Sequence, residues 1–167
     1  MPNAKDVKID DGDLRILRIL QEDGRITNQD LARRCGMSTA TCFERTRRLR
    51  NAGVIRGFTA LLDPACLGRE LLVFIEVILD RTTDDAFSAF AEHIQAVPDV
   101  LECHMVAGGF DYLIKVRVES MAVYRDVLTK VLVELPAVRE THTFAVIEEV
   151  KNDPTVHLPA ARGGRRR

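Results

Sequence analysis

The chain has 167 residues, of which 46% are hydrophobic and 29% are charged. This composition is typical of a globular protein, and the length suffices for one or two domains whose cores need no disulfide or metal. Trp is absent and aromatics make up 5%, which argues against a stacking platform for single-stranded nucleic acid. No apolar run reaches membrane-span length, and the N-terminus is polar. We therefore expect a cytoplasmic protein, with no membrane partner, whose four cysteines are reduced.

The net charge of −1 hides an uneven distribution along the chain. Residues 1–64 carry 12 basic and 9 acidic residues, whereas residues 65–159 carry 8 and 16. The last eight residues contain four arginines and no acid. This asymmetry favours a polyanion-binding surface beside an acidic body, although a solvated helix face would explain the basic charge alone.

Residues 1–53 show helical periodicity and form a predicted helix-turn-helix domain. Three helices are predicted. The first lies at 13–22, the second follows a Thr27 cap, and the third lies at 39–51 after a Ser38 cap. The second of these helices ends at Gly36. A short helix, a glycine turn and a capped helix are typical of the helix-turn-helix, whose second helix enters the major groove of DNA.

The third predicted helix begins with short hydroxyl residues and carries several arginines. The predicted DNA-binding residues are Ser38, Thr39, Thr41, Arg45, Arg47 and Arg48. Hydroxyls can exchange hydrogen bonds with base edges, and a guanidinium can bond bidentately to phosphate or guanine. A three-helix unit with no DNA role explains the apolar pattern equally well, but it does not explain the arginines. We therefore predict double-stranded DNA as a partner.

The second half of the chain alternates strand and helix patterns. The predicted elements are a strand at 71–79, a helix from Thr83 to near Pro98, strands at 100–107 and 111–118, a helix from Ser120 to Pro136, and a strand at 138–150. The order βαββαβ is that of a ferredoxin-like fold. Two helices can cover only one face of such a sheet, so we expect the other face to bind a second copy.

Three further boundaries complete the predicted organisation. Residues 54–64 are expected to form an extended linker or wing strand, and residues 65–152 the ferredoxin-like domain, which we also expect to carry oligomerisation. Residues 153–167 are rich in Pro, Gly, Ala and Arg, which predicts a disordered basic tail.

Several runs in this order resemble transcription regulators of the Lrp/AsnC family, and leucine-responsive members most of all. They are DGRITNQDLARRCGMS (23–38), ERTRRL (44–49), GVIRGFTALLDP (53–64), LLVFIEVIL (71–79), ECHMVAGGFDYLIKVRV (102–118), MAVYRDVL (121–128) and EEVK (148–151). The resemblance implies an α+β protein with an N-terminal winged helix-turn-helix and a C-terminal ferredoxin-like, RAM-type domain. It also implies a small amino acid effector, and homodimers that assemble to tetramers or octamers.

The resemblance further implies an effector site around the turn between the two middle strands. The matching residues are Met105, Gly108, Gly109, Asp111, Tyr112, Met121, Phe144, Ala145 and Val146. Glycines let a ligand approach the backbone, whose N–H groups can hold a carboxylate, and Asp111 could hold an ammonium group. An ordinary hairpin turn flanked by core residues is the alternative.

Three departures from the family pattern bear on specificity. Gly109 stands where leucine-responsive relatives often have an acidic residue, and Phe144 stands where a tyrosine is expected. Residues 38–41 read Ser-Thr-Ala-Thr instead of Ser-Pro-Thr-Pro. Leucine as the effector, and the recognised DNA sequence, therefore stay open.

Enzymatic signals are weak in this sequence. The four histidines lack metal-binding spacing, and no phosphate-binding loop is present, so we predict no enzyme, metal or cofactor. The predicted function is a sequence-specific transcription regulator responsive to a small amino acid, associated with the nucleoid and controlling amino-acid metabolism or transport genes. An architectural DNA-binding protein of low specificity, and a sensor acting through protein contacts, are the alternatives.

Overall fold

The computed structural model describes residues 7–80, 83–133 and 138–159, excluding the side chains of 130–133. The chain divides into two compact units. The first comprises residues 1–61 together with 153–167, and the second comprises residues 62–152.

The first unit contains three helices, as predicted. They are α1 (Asp11–Glu22), α2 (Asn28–Cys35) and α3 (Thr39–Asn51). Thr27 and Ser38 accept hydrogen bonds from the backbone N–H groups of Asp30 and Thr41, which confirms both predicted caps. Gly36 ends α2 at φ 65°, a left-handed conformation that glycine adopts without steric cost. These local signals fix the turn between α2 and α3.

The core of this unit is small and aliphatic. Its buried members are Ile16, Ile19, Leu31, Ala32, Cys35, Cys42 and Leu49. Val54 and Ile55 pack against it, and both of their N–H groups donate to the Leu49 carbonyl. The chain therefore leaves α3 in a fixed direction.

The predicted wing strand within residues 54–64 is not formed in this chain. Residues 56–62 have no regular secondary structure and are exposed. A strand is stable only when its backbone groups pair with a neighbouring strand, and the described part of this unit contains no strand. That residues 56–62 are extended was predictable from the sequence, whereas the lack of a neighbouring strand to pair with them was not.

Residues 153–159, the described part of the predicted disordered tail, have no regular secondary structure but are hydrogen-bonded to α1. The Val156 N–H donates to Gln21 Oε1 at 2.8 Å, and Gln21 Nε2 donates back to the Val156 carbonyl at 3.1 Å. The Arg18 guanidinium donates to the Pro159 carbonyl. Composition alone could not show that side chains of α1 hold this backbone. Residues 160–167 lie outside the described part of the chain.

The second unit has the predicted βαββαβ order. After a 3-10 turn at Ala65–Leu67, the elements are β1 (Leu71–Leu79), α4 (Asp84–Gln95), β2 (Val100–Met105), β3 (Tyr112–Val118), α5 (Met121–Val133) and β4 (Val138–Ala145). The sheet is antiparallel with the strand order β2-β3-β1-β4, so β2 and β4 are its edges. This topology confirms the predicted fold class.

The last strand is shorter than predicted. It ends at Ala145, which pairs with Val73 of β1, instead of running on to residue 150. Val146 still donates to the Leu72 carbonyl, but β1 begins at Leu71 and offers almost no further partners. Residues 147–150 therefore have no neighbouring strand with which to form backbone hydrogen bonds.

One face of the sheet is covered by the two helices. Its buried residues come from alternate positions of β1 and β3, and they pack with the helices: Val73, Ile75, Val77, Leu79, Tyr112, Ile114, Val116, Val118, Phe90, Ile94, Tyr124 and Val127. Burying each such side chain contributes about 1.5–3 kcal/mol. The intervening residues lie on the opposite face, here called the open face, and many of them are partly exposed.

Candidate DNA-binding and effector surfaces

Helix α3 has a buried side and an exposed side. Cys42 and Leu49 are fully buried, whereas Thr39, Phe43 and Arg47 are exposed. The Phe43 side chain is 52% exposed, which is unusual for a large aromatic residue in a single folded unit. Phe43 was not among the predicted DNA-binding residues. Its exposure could have been predicted, because Cys42, Thr46 and Leu49 already fill the buried side of the helix.

The beginning of α3 presents hydroxyl groups to solvent. The Ser38 Oγ accepts a hydrogen bond from the Thr41 N–H at 3.2 Å and lies 2.8 Å from the Thr41 Oγ1. Ser38, Thr39 and Thr41 are all exposed. The structure thus brings these three predicted residues together at a helix N-terminus, where backbone N–H groups and the helix dipole favour phosphate.

Two predicted DNA ligands, Arg45 and Arg48, instead contact acidic residues of α1. The Arg45 Nη1 lies 2.7 Å from an Asp10 carboxylate oxygen and 3.0 Å from the Asp13 Oδ1. The Arg48 Nη2 lies 2.5 Å from the Asp13 Oδ2. The Asp13 side chain is fully buried, so these guanidiniums neutralise a carboxylate that would otherwise be costly to bury. In the free chain both guanidiniums therefore have a structural role, and their contact with DNA stays a prediction.

Electrostatics at this junction follow from the same contacts. The Arg45 guanidinium hydrogen-bonds the Asp10 carboxylate and lowers the pKa of that group from 3.8 to about 2. Asp10 and Asp13 also form a reciprocal capping box at the start of α1. A single cluster therefore caps α1 and ties it to α3.

Arg47 differs from its two neighbours. It pairs only with Glu44, one turn earlier on the same helix, at 2.8 Å, and both side chains are more than half exposed. Such pairs contribute about 0–1 kcal/mol, so DNA phosphate can displace Glu44 at little cost. Of the three predicted arginines, Arg47 has the most exposed side chain.

The loop between β2 and β3 is held at its base and open at its tip. The Val106 N–H donates to the Asp111 carbonyl, and the Asp111 N–H donates to the Val77 carbonyl. The Asp111 Oδ2 accepts from the Leu79 N–H at 2.8 Å. A Cβ added at Gly108 or Gly109 would meet no atom within 4 Å, so the tip has room for a ligand.

Tyr112, a predicted effector residue, lies in the core. It is 4% exposed, and its ring stacks on Phe90 with centroids 4.3 Å apart. Its hydroxyl donates to the Phe87 carbonyl, and burial raises the pKa of the phenol. Strand alternation turns Tyr112 towards α4, so its ring belongs to the core of one chain, and its role as an effector ligand stays a prediction.

The other predicted effector residues fall into two separate groups. Met105 pairs with Tyr112 on one side of the sheet, whereas Phe144 pairs with Phe74 on the opposite edge strand. Three strand spacings separate them by about 14 Å across the sheet, and the register adds about 10 Å along it. Met121 follows the end of β3 that pairs with Leu71, so it belongs with the Phe144 group. One chain alone does not bring the predicted effector residues together.

The open face of the sheet combines apolar and ion-paired residues. Phe74 and Phe144 lie opposite each other, and Phe144 is 51% exposed. Around them, Lys115 pairs with Glu102 at 2.9 Å, and His142 lies 3.0 Å from Glu140 and 3.4 Å from Glu76. Hydrogen bonds to Glu140 and then Glu76 raise the pKa of His142. An apolar centre with charged neighbours is typical of a protein interface.

Neither a metal site nor a membrane span is found in the described part of the chain. Among those residues, no group of three His, Cys, Asp or Glu side chains could hold a metal ion. No helix there is both long and apolar enough to cross a bilayer.

Comparisons with known proteins agree with this two-unit organisation. A winged helix-turn-helix DNA-binding model matches residues 9–56, and the Lrp/AsnC ligand-binding domain matches residues 72–156. The leucine-responsive regulatory protein of Escherichia coli K12 is 48% identical over 139 residues, which cover 83% of this chain and 85% of the relative. This chain belongs to the Lrp/AsnC family of transcription regulators.

Solved structures of Lrp/AsnC regulators show the same fold. A transcriptional regulator of Neisseria meningitidis, crystallised with L-methionine, is 31% identical, covers 90% of this chain and 97% of its own, and superposes with a TM-score of 0.81. An AsnC family regulator of Agrobacterium tumefaciens is 30% identical over 89% of this chain and 97% of its own, with a TM-score of 0.83. The predicted fold and the predicted function, a DNA-binding regulator with an amino-acid-responsive domain, are confirmed. The matched relatives are regulators and not enzymes.

Proposed function

We propose that this Lrp/AsnC regulator reads a specific DNA site with the exposed side of α3, and that a small amino acid changes its assembly and so its DNA occupancy. The observation that carries the DNA part is the exposed stripe of Thr39, Phe43 and Arg47 along α3, together with the exposed hydroxyls of Ser38 and Thr41 at its N-terminus. The genes it controls would act in amino-acid metabolism or transport, and its place in the cell would be chromosomal DNA in the cytoplasm.

The exposed residues of α3 can divide the work of DNA recognition. Ser38, Thr39 and Thr41 suit phosphates and base edges at the helix N-terminus, and Arg47 suits phosphate or guanine. Phe43 can make the apolar contact that the thymine methyl group offers in the major groove. Arg45 and Arg48 support this surface by fixing α3 against α1. This surface combines uncharged residues that can read base edges with a basic residue. We therefore favour binding to a specific DNA sequence over purely electrostatic binding.

The open face provides the means of self-association. Its partly buried Phe74 and half-exposed Phe144 would be covered by the open face of a second copy, in a two-fold arrangement. The resulting homodimer presents two α3 helices, which would read half-sites about 34 Å apart or a multiple of that distance. Further assembly to tetramers or octamers is expected by similarity to the family.

The effector site would be shared between chains. The tip at Gly108–Gly109 and the group around Met121, Phe144, Ala145 and Val146 are too far apart in one chain to hold one small ligand. Backbone N–H groups of the open loop can bind the amino acid carboxylate, and the Asp111 carboxylate has acceptor capacity beyond its bond to Leu79 for the ammonium. The first amino acids to test as effectors are leucine, to which a relative of this chain is named as responsive, and methionine, which is bound in the Neisseria meningitidis structure.

A selection experiment tests the DNA part of this proposal. Duplexes enriched from a random-sequence pool by the full chain should share a near-palindromic motif, because two identical helices read it. Replacing Arg47 by Ala should weaken binding to that motif by about 1–3 kcal/mol. The matched control is Arg15→Ala, on the exposed side of α1, which should bind as the unchanged chain does. Binding without an enriched motif would favour the architectural alternative.

The amino-acid part needs a separate readout. Each of the twenty common amino acids is added in a thermal unfolding assay, where a ligand of the native state raises the melting temperature. The amino acid that raises it should change the affinity for the selected duplex by about fivefold or more. Melting temperatures and affinities unchanged by all twenty would contradict amino-acid regulation.

A further inference from the structure

We infer that Glu44 is a specificity-determining residue for DNA binding. In the complex its carboxylate, held by Arg47, accepts a hydrogen bond from the N4 amino group of a cytosine, while Arg47 donates to the guanine of the same base pair. This inference rests on the proposed function, since it requires α3 to read DNA with its exposed side. It concerns one base pair within that site, so the two ideas can fail separately.

Glu44 lies on the side of α3 that faces away from the core. Consecutive residues of a helix are rotated by about 100°, so Glu44 is turned by about 200° from the fully buried Cys42. The Glu44 side chain is 58% exposed, and that of Arg47 is 61% exposed. The pair is therefore presented to any partner that binds the exposed side of α3.

The charge of Glu44 is unfavourable for DNA binding in general. Helix α3 carries four arginines, and Glu44 is its one acidic residue. Two of these arginines, Arg45 and Arg48, already contact carboxylates of α1. A further carboxylate on a surface that approaches DNA is repelled by the phosphates, and this repulsion lowers affinity for every sequence. Glu44 can offset that cost only where a base offers it a hydrogen-bond donor.

Cytosine is the base whose donor suits a carboxylate. In the major groove it presents the N4 amino group, whereas guanine presents two acceptors. Adenine also has an amino donor there, but its N7 acceptor lies beside that group and repels a carboxylate. Thymine offers an acceptor and a methyl group. A carboxylate on α3 therefore selects cytosine.

The contact with Arg47 extends this selection to a whole base pair. The Arg47 Nη2 donates to the Glu44 Oε2 at 2.8 Å. This bond leaves further guanidinium N–H groups to donate to guanine O6 and N7, and it leaves the second carboxylate oxygen to accept from cytosine N4. A G·C pair presents two acceptors and then a donor across the major groove, which Arg47 and Glu44 complement in that order. On random DNA, phosphate displaces Glu44 from Arg47 instead.

A modified cytosine tests this inference. Cytosines of the selected duplex are replaced one at a time by N4-methylcytosine, which pairs with guanine but carries a methyl group where the N4 hydrogen faces the major groove. At one position of each half-site, the replacement should lower the affinity of the full chain by about tenfold or more, because a hydrogen bond to a charged group is lost. Glu44→Ala should bind the modified and unmodified duplexes within about threefold of each other, because it has no carboxylate to lose. Its affinity for a random duplex should rise by up to about fivefold as the repulsion is removed.

Two variants serve as controls. Glu22→Ala removes an exposed carboxylate that contacts Arg34 at 2.8 Å, the same distance as in the Glu44–Arg47 pair, but it lies on α1. This variant should respond to N4-methylcytosine as the unchanged chain does. Arg47→Lys keeps the positive charge but loses the planar fork, so it should discriminate less when the same G·C pair is replaced by A·T. Circular dichroism checks that each variant, changed at an exposed position, is folded.

Three results would overturn the inference. The first is a change in affinity by the same factor for every duplex in Glu44→Ala, which is the behaviour of a solvated helix residue. The second is an affinity of the full chain that no N4-methylcytosine alters. The third is a loss of preference at different base pairs in Glu44→Ala and Arg47→Lys, because the two side chains would then not read one pair. Failure of the full chain to enrich any duplex would instead refute the proposed function.

Discussion

The three helices of the helix-turn-helix unit enclose a core within one chain, whereas one face of the ferredoxin-like sheet stays open. In the first unit, buried Asp13 has two arginine partners, and the helices enclose a shared aliphatic core. In the second unit, Phe144 is half exposed on the open face, and the predicted effector residues lie at opposite edges of the sheet.

This difference assigns separate tasks to the two units. A unit with satisfied contacts can present α3 in one geometry whatever the assembly state. A unit with an exposed apolar face gains stability by association, and a ligand that binds only the associated form shifts that equilibrium. Regulation by an amino acid therefore belongs to the unit that one chain leaves incomplete.

The largest predicted effect comes from placing a charge on the open face. Phe144→Glu should fold, because residue 144 is half exposed in one chain, but it should weaken the proposed dimer by about 3 kcal/mol or more, since two unpaired carboxylates would be buried in the proposed interface. Sedimentation velocity measures the change. Ile147→Glu, at a fully exposed position outside the sheet, is the control. Dimers of unchanged stability in Phe144→Glu would show that this face is not the interface.

A smaller effect is expected from breaking the cluster that joins α1 and α3. Asp13→Ala leaves Arg48 without its buried partner and removes half of the capping box, which should destabilise the first unit by about 2–3 kcal/mol. Urea unfolding followed by circular dichroism gives the free energy. Glu22→Ala, which removes an exposed pair with Arg34, should cost less than about 1 kcal/mol. If the two variants are equally stable, the cluster does not hold the unit together.

Two glycine-to-alanine variants compare the stability cost of a side chain in the helix-turn-helix turn with its cost in the β2–β3 loop. Gly36→Ala should cost about 1 kcal/mol, because position 36 has φ 65°, where a Cβ is strained. Gly108→Ala should leave unfolding almost unchanged, because its φ is not positive and no atom lies near the added Cβ. The same urea titration checks both. Equal costs would mean that the β2–β3 loop is as constrained as the helix-turn-helix.

The smallest effect is a pH dependence of the first unit. Because Arg45 lowers the pKa of Asp10 to about 2, the pair contributes stability above pH 3.8 and loses it as the pH falls through about 2. The Asp10 side chain is 51% exposed, so the contribution should be about 1 kcal/mol or less. Asp10→Asn keeps a capping residue without the charge. Its deficit in unfolding free energy should be present at pH 6 and absent near pH 2, and a constant deficit would exclude the ion pair as its cause.

Much of the fold was predictable because its signals are local. Strand β1 and helix α3 both have the predicted bounds, and Ser38 caps α3 as predicted. Apolar periodicity and capping residues act within a few neighbours of the chain, so they can be recognised without knowing the tertiary structure.

The contacts that could not be predicted join residues distant in the sequence. Arg45 and Arg48 contact residues that precede them by 32 or more positions, and Val156 bonds a residue 135 positions away. The acidic partners of these arginines could not be recognised from spacing. Tyr112 was assigned to the effector site by similarity, whereas the pairing of β3 directs its ring into the core.

Sedimentation velocity of the full chain, with and without the amino acid found by thermal unfolding, tests the central claim most directly. The protein is diluted across the range in which dimers and larger assemblies dissociate. If the effector residues of two chains form one site, the amino acid must shift the distribution of assemblies at a fixed protein concentration. Saturable binding of that amino acid to the dissociated chain, with the same affinity and no shift in mass, would contradict the account.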